Sequence, residues 1–314
     1  MAAKLRCAWH YFRPARKNHR MMLRSLLSLL CLAPLATLHA QYGTFDAAAA
    51  KAARTATLVV VFDASDSPYN RALLNAVKSE WKFNASVDFL NVSDLGMQPI
   101  SPDKVYLLKT RRTDPVKFEG TFMAVVKGWK PKKGDALQQT DNCFTSIAAE
   151  QELASLLIDP QAFNEQNMSS MLTVYLKHLQ DYLKQVESGK ITDKTTADRL
   201  YGARTRLVRE TELVLAQEHL DKTLPDAAAI KLEYASPFVL GSRNSVTGAA
   251  EAQDRAKTVS DVVVTVGDHK NKHCFKRVFN AGTGELMYLR DDAALFGKKE
   301  GFIVDDLKAI ARAR

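Results

Sequence analysis

Asp63, Ser65 and Ser67 stand in a D-x-S-x-S spacing directly after the apolar run Leu58, Val59, Val60, Val61 and Phe62. A carboxylate and two hydroxyls at alternate positions can offer hard oxygen ligands to a divalent cation such as calcium or magnesium. The same residues also suit a turn into a helix. Ser67 is a good N-cap, and Pro68 fits the first helical position. The cap is the plainer reading; a cation site at Asp63, Ser65 and Ser67 is the alternative.

Other side chains could do chemistry. His269, His273 and Cys274 are metal-capable and close in sequence, but their Lys- and Asn-rich surroundings read as a solvated loop. His178 and His219 read as single histidines on helix surfaces. Residues 104–133 hold nine Lys or Arg against Asp114 and Glu119. Within that stretch Lys127, Trp129, Lys130, Lys132 and Lys133 set a ring among cations, which could touch anionic glycans or lipid headgroups. Lysines blunting a sheet edge are the plainer account. Cys143 and Cys274 could pair in an oxidising compartment, or stay as two buried thiols. The chain contains no G-x-S-x-G elbow, Walker A loop, C-x-x-C pair or H-E-x-x-H helix.

The front of the chain explains its charge. Residues 26–38 are apolar, Arg24 precedes them, and His39, Ala40 and Gln41 follow, which is the pattern of a secretory signal peptide cut after Ala40. Seven of the nine net positive charges lie in residues 1–40, which leaves a net of about two for the rest. The basic balance is thus poor support for nucleic-acid binding. The apolar core is too short to span a bilayer, where roughly 20 residues are needed. Met21 or Met22 would give a more ordinary leader. A lipoprotein cut at Cys31 is disfavoured by the bulky Leu30 before it.

The elements that must position these groups alternate. Residues 41–56 read as a flexible, Ala-rich N-terminal segment. Residues 58–62 suit a doubly covered strand, and Leu73, Leu74, Val77 and Trp81 mark one face of the helix after Pro68. Val87, Phe89 and Leu90, then residues 105–108 and 121–126, read as strands. Phe163, Met168, Met171, Leu172, Tyr175, Leu179, Tyr182, Leu183 and Val186 predict a helix stopped by Gly189. Thr192 and Asp193 begin another, with Leu200, Leu207, Val208, Val214 and Leu215 on its stripe, so the pair reads as an antiparallel hairpin. Residues 238–240 and 262–266 read as strands, with Ser245 capping a helix between them. Residues 274–279 and 285–289 read as a β-hairpin around a Gly-rich turn, and Asp305 as the cap of a last helix. Strand, link and strand recur at residues 87–108 and 238–265, the pattern of a loose internal repeat.

The fold class expected is α/β in the mixed α+β sense. Two small sheet-and-helix lobes, residues 57–160 and 223–314, are joined by an antiparallel helical hairpin at 161–222. The D-x-S-x-S segment resembles the metal-ion-dependent adhesion site of von Willebrand factor A domains, without that family's threonine loop or second acidic residue. It also resembles the nucleophile strand of haloacid dehalogenase phosphatases, with Ser65 where that family has a second Asp. The ending Ala40-Gln41, the run Val60-Val-Phe-Asp63, Ser67-Pro-Tyr-Asn70 with its helix to Trp81, and Gly282-Thr-Gly-Glu-Leu-Met-Tyr288 together resemble a group of secreted Bacteroidota proteins without assigned function. The first lobe is similar in outline to envelope-lipoprotein domains of the curli-secretion and penicillin-binding-protein-activator type. The likeness to the Bacteroidota group implies an exported, soluble protein, and the leader together with the lack of a catalytic constellation in the sequence leads to the expectation of a non-catalytic binding or scaffolding protein with no cofactor. Its partner would be an envelope protein or glycan; the alternative is a divalent-cation-dependent adhesion or hydrolase site. Intact mass of the exported protein is expected to match a chain beginning at Gln41, and a mass that retains residues 21–40 would reject the cleavage site.

Overall fold

The computed structural model describes residues 42–96, 100–114, 118–130, 132, 137–164, 169–265, 272–294 and 298–314. Residues 1–41, Lys133, Met168 and His269 lie outside these. In chain order the first elements are α1 (Ala47–Thr55), β1 (Thr57–Phe62), α2 (Pro68–Glu80), β2 (Val87–Asn91), β3 (Lys104–Asp114) and β4 (Phe118–Lys127). Two short strands follow, β5 (Gln139–Thr140) and β6 (Cys143–Phe144), and then β7 (Glu152–Ile158). Next come the helices α3 (Ser169–Glu187) and α4 (Lys194–Thr205). The last part holds β8 (Glu212–Ala216), α5 (Ala227–Glu233), β9 (Phe238–Gly241), α6 (Arg243–Glu251), β10 (Lys257–Val264), β11 (His273–Asn280), β12 (Leu286–Ala293) and α7 (Val304–Arg312).

The mixed α/β class holds. The strands form two sheets, one ordered β2-β1-β3-β4-β7 with β5 and β6 beside it, the other β9-β8-β10-β11-β12. In both, the strand that comes first in the chain pairs in parallel with a neighbour on each side, and the last three strands in each order pair antiparallel; the short β6 adds a parallel contact to β3 in the first sheet. The two sheets therefore share one topology. The segments that read as a repeat, 87–108 and 238–265, supply β2 with β3 and β9 with β10, which hold equivalent places.

Alternation along β1 divides its side chains between two cores. Leu58 and Val60 face the helices, whereas Val59 and Val61 meet Val92, Leu95, Ile100 and Phe144 on the far face. Helix α2 starts where the sequence predicts: the Ser67 hydroxyl accepts from the Asn70 N–H, behind Pro68. Gly189 turns the chain after α3 with φ +72°, and Asp193 caps α4 with Thr196 completing a capping box.

Helix α3 packs on both sheets: its buried residues run from Met171 to Val186 around most of its circumference, and they share one core with β1 of the first sheet and with Val214, Val259 and Phe279 of the second. Two expectations need correction. The second helix of the hairpin ends at Thr205, and Val214 and Leu215 belong to strand β8. Of the segment expected to be flexible, residues 42–56 are ordered against the core: Asp46 caps α1, Ala50 and Ala53 are buried, and Tyr42 stacks on Tyr182 and Tyr201. Strand β7, buried at every position, went unread. Smaller shifts move the α6 cap from Ser245 to Ser242.

The sheets meet at a buried arginine. Arg277 on β11 lies directly across from Asp261 on β10 and binds it through Nε at 2.6 Å. Its Nη1 donates to the Leu157 carbonyl of β7 at 2.8 Å, across to the other sheet. The Tyr175 hydroxyl of α3 donates to Asp261 at 2.8 Å, and the rings of Tyr175 and Phe279 flank the guanidinium. Phe122, Leu157, Val263 and Phe275 close the contact with apolar surface. Replacing Arg277 by Met strands a buried carboxylate and is expected to cost about 3–5 kcal/mol in urea unfolding. The Arg277→Met/Asp261→Leu pair should recover much of that loss; a single-variant cost under ~1 kcal/mol would remove Arg277 from this role.

Candidate functional site

In open α/β sheets ligands gather at the carboxyl ends of parallel strands, where the strand order reverses. In the first sheet that place lies between β1 and β3, at Asp63. The Asp63 carboxylate is buried against Lys109 of β3, with Nζ 2.7 Å from Oδ1. The same ammonium sits 4.6 Å from the centre of the Tyr69 ring. Amide side chains bind the turn around this pair. Asn70 accepts from the Asp63 N–H at 2.8 Å and donates to the carbonyls of Asp63 and Ser65. Asn91 donates to the Asp63 carbonyl, and Asn142 accepts from the Ala64 N–H.

This arrangement does not fit a divalent cation at Asp63, Ser65 and Ser67. The position next to Asp63 Oδ1 is taken by a lysine ammonium. The Ser65 side chain is exposed, and the Ser67 hydroxyl is engaged as the α2 cap. The helix-cap reading of Ser67 is the one the geometry supports. Cys143 lies nearby as a buried thiol. Burial pushes its pKa up, and the pull of Lys109 and Arg111 in the other direction is not enough to reverse this. A protonated thiol is a weak nucleophile. Cys274 is also a free buried thiol, on β11 of the other sheet, with its pKa pushed up to about 12 by burial. The disulfide between Cys143 and Cys274 is not formed.

The second sheet repeats the arrangement with different chemistry. A short 3-10 turn, Gln217–His219, follows β8 as Asp63 follows β1. His219 lies in it, buried, with Nδ1 2.9 Å from the Ser260 hydroxyl of β10. That hydroxyl also accepts from the Ala216 N–H at 3.1 Å, an arrangement suited to a neutral ring accepting at Nδ1. Burial lowers the His219 pKa to about 4, with Arg243 pushing the same way and Asp261 opposing. His178 on α3 packs against Phe279 and Tyr201, and burial takes its pKa to about 4 as well. Neither histidine sits on a helix surface as expected.

A third cluster was also invisible to sequence reading. Lys276 on β11 is fully buried and donates to Asp292 at 2.5 Å and to Asp306 at 2.7 Å. Asp306 further accepts from the Tyr288 hydroxyl at 2.7 Å and from the Ile303 N–H at 2.8 Å. Asp306, rather than Asp305, therefore closes the start of α7. The only outward hint was the polar pair Lys276-Arg277 in the middle of a strand.

The remaining candidates spread apart. His273 pairs with Asp291 at 2.8 Å, and no group of three or more metal-capable side chains forms among the described residues. Lys127, Lys130 and Lys132 are exposed, whereas Trp129 is half-buried against the far-face core of the first sheet. The ring is thus held by packing, and lysines rim it. Comparison with known protein families, with curated proteins and with solved structures gives no match for this chain.

The two histidines predict a pH dependence. Each is neutral when folded and binds a proton more readily when unfolded, near pH 6.5. Their contribution to stability is therefore complete above that pH and lost as pH falls towards 4. The loss is on the order of 3 kcal/mol per ring. Thermal melts between pH 7.5 and 4 should show the decline, and His178→Phe should flatten it. A melting temperature constant across that window would contradict the buried, neutral rings.

Proposed function

We propose that this chain is an exported protein of the cell envelope that binds its ligand without transforming it. The observation that carries the reading is that both strand-end crevices, where an α/β sheet usually does its chemistry, are filled by internal pairs. Asp63 is neutralised by Lys109 and His219 is tied to Ser260. Two further interior pairs, Asp261 with Arg277 and Asp306 with Lys276, are matched in the same way. Groups so paired hold the fold and are poorly placed to exchange protons with a substrate. The leader at residues 1–40 supports export, and no helix among the described residues is long and apolar enough to cross a membrane.

The test compares the chain from Gln41 with Asp63→Ala, Cys143→Ala and Ser260→Ala, each checked for cooperative melting. Chromogenic phosphoester, carboxylic ester and glycoside substrates are supplied with and without magnesium and calcium. The expected outcome is one common background rate. A wild-type turnover that drops a hundredfold in one folded variant would make the protein an enzyme and end the binding reading.

A further inference from the structure

A shallow depression of about 610 Å³ lies where the end of α1 meets the end of α3. Lys51 and Arg54 line it from α1, Lys184, Gln185, Glu187 and Ser188 from α3 and its exit, and Lys190 from beyond the Gly189 turn. Four cations face one carboxylate. Glu187 is already held by Arg54 at 2.5 Å, and Arg54 also lies over the Phe83 ring. The ammonium groups of Lys51, Lys184 and Lys190 are exposed and have no hydrogen-bond or ion-pair partner among the described residues. They come from three separate stretches of backbone, and the left-handed turn at Gly189 brings the third back beside the other two.

The charge balance makes this place unusual for the chain. The lining carries a net of three positive charges, more than the net of about two on everything after residue 40. The ordinary explanation for such lysines is the negative end of a helix. Two helix C-termini supply about half a negative charge each, roughly one in total, which leaves about two positive charges unanswered. Neutral groups complete the surface. Gln185 uses its amide nitrogen on Asp181 and Ser188 donates its hydroxyl to the Gln185 carbonyl. The Gln185 amide oxygen and the Ser188 oxygen remain as acceptors facing a ring of donors.

We propose that this depression binds an acidic oligosaccharide, with Lys51, Lys184 and Lys190 taking its anionic groups and the Gln185 and Ser188 oxygens taking its hydroxyls. Unpaired ammonium donors call for anions, and open neutral acceptors call for hydroxyls. Only a ligand carrying both uses the whole surface, and a concave site suits an inserted chain better than a flat bilayer. The proposal supplies a ligand class for the binding-protein reading and rests on that reading.

Calorimetry on the chain from Gln41 tests it, with three probes: oligogalacturonate, neutral dextran of matched length, and inorganic phosphate. The expected result is binding of oligogalacturonate alone, weakened severalfold between low and physiological salt. The triple variant Lys51→Ala/Lys184→Ala/Lys190→Ala should lose at least tenfold in affinity at an unchanged melting temperature. The surface control Lys127→Ala/Lys130→Ala should keep wild-type affinity. Absence of oligogalacturonate binding, equal binding of dextran, phosphate binding as tight as the oligosaccharide, or an equal loss in the control variant would each overturn the assignment. Those outcomes leave the non-catalytic reading standing, because only a turnover in the substrate assay removes it.

Discussion

A guanidinium with no access to water holds the two sheets to one another. Taking a charge out of solvent costs several kcal/mol, so such a group persists only where every partner is supplied. Arg277 receives its partners from three directions: Asp261 across the strand pair, the Leu157 carbonyl from the opposite sheet, and the Tyr175 ring from the helix between them. Each supplier must be in place for the others to be satisfied. The order of the elements follows from this: β7 must present its carbonyl to β11, and α3 must lie where its tyrosine reaches both. From Tyr175 a row of rings extends outward. It runs through Phe163 to Tyr69 beside Lys109 on one side, and through Phe279, His178 and Tyr201 to Tyr42 on the other. Sheet contact, strand-end crevice and chain start are thus tied into one interior.

The repeated sheet order gives this interior a second regularity. Two sheets of equal topology each leave a gap at the carboxyl end of the first strand, and each gap is closed from the third strand in sheet order. Lys109 closes one and Ser260 the other. The plugs differ in chemistry, an ion pair in one half and a serine–histidine contact in the other, while their position is the same. A position shared by two halves of one chain, filled each time by a local pair, reads as a demand of the architecture. Both strand ends are thus occupied by the protein's own side chains.

Local signals were legible and distant ones were not. The run 58–62, the Ser67-Pro68 cap, the Gly189 stop and the hairpin around residue 282 are each specified by a few neighbouring residues, and all appear in the fold. Lys109 lies 46 positions from Asp63, and nothing near either one announces the other. Lys276 and Arg277 point to opposite faces of β11, and their burial depends on α7 and β7, which arrive from elsewhere. Val214 and Leu215 kept the spacing of a helical stripe; a short apolar run does not distinguish strand from helix. Strand β7, with its Glu152 and Ser155, lacked the alternation that would have marked it. Ala-rich α1 showed no apolar stripe, since its small residues earn their place by letting α3 approach closely.

Tyr42 fastens the segment before α1 to the rest of the molecule. It is buried, and its hydroxyl reaches Asp198 at 2.7 Å. Gly43 beside it lies so close to the Leu153 carbonyl that no side chain fits there. The segment before α1 is thereby locked to the interior, so any change that frees Tyr42 gives up two ring stacks and a hydroxyl hydrogen bond at once.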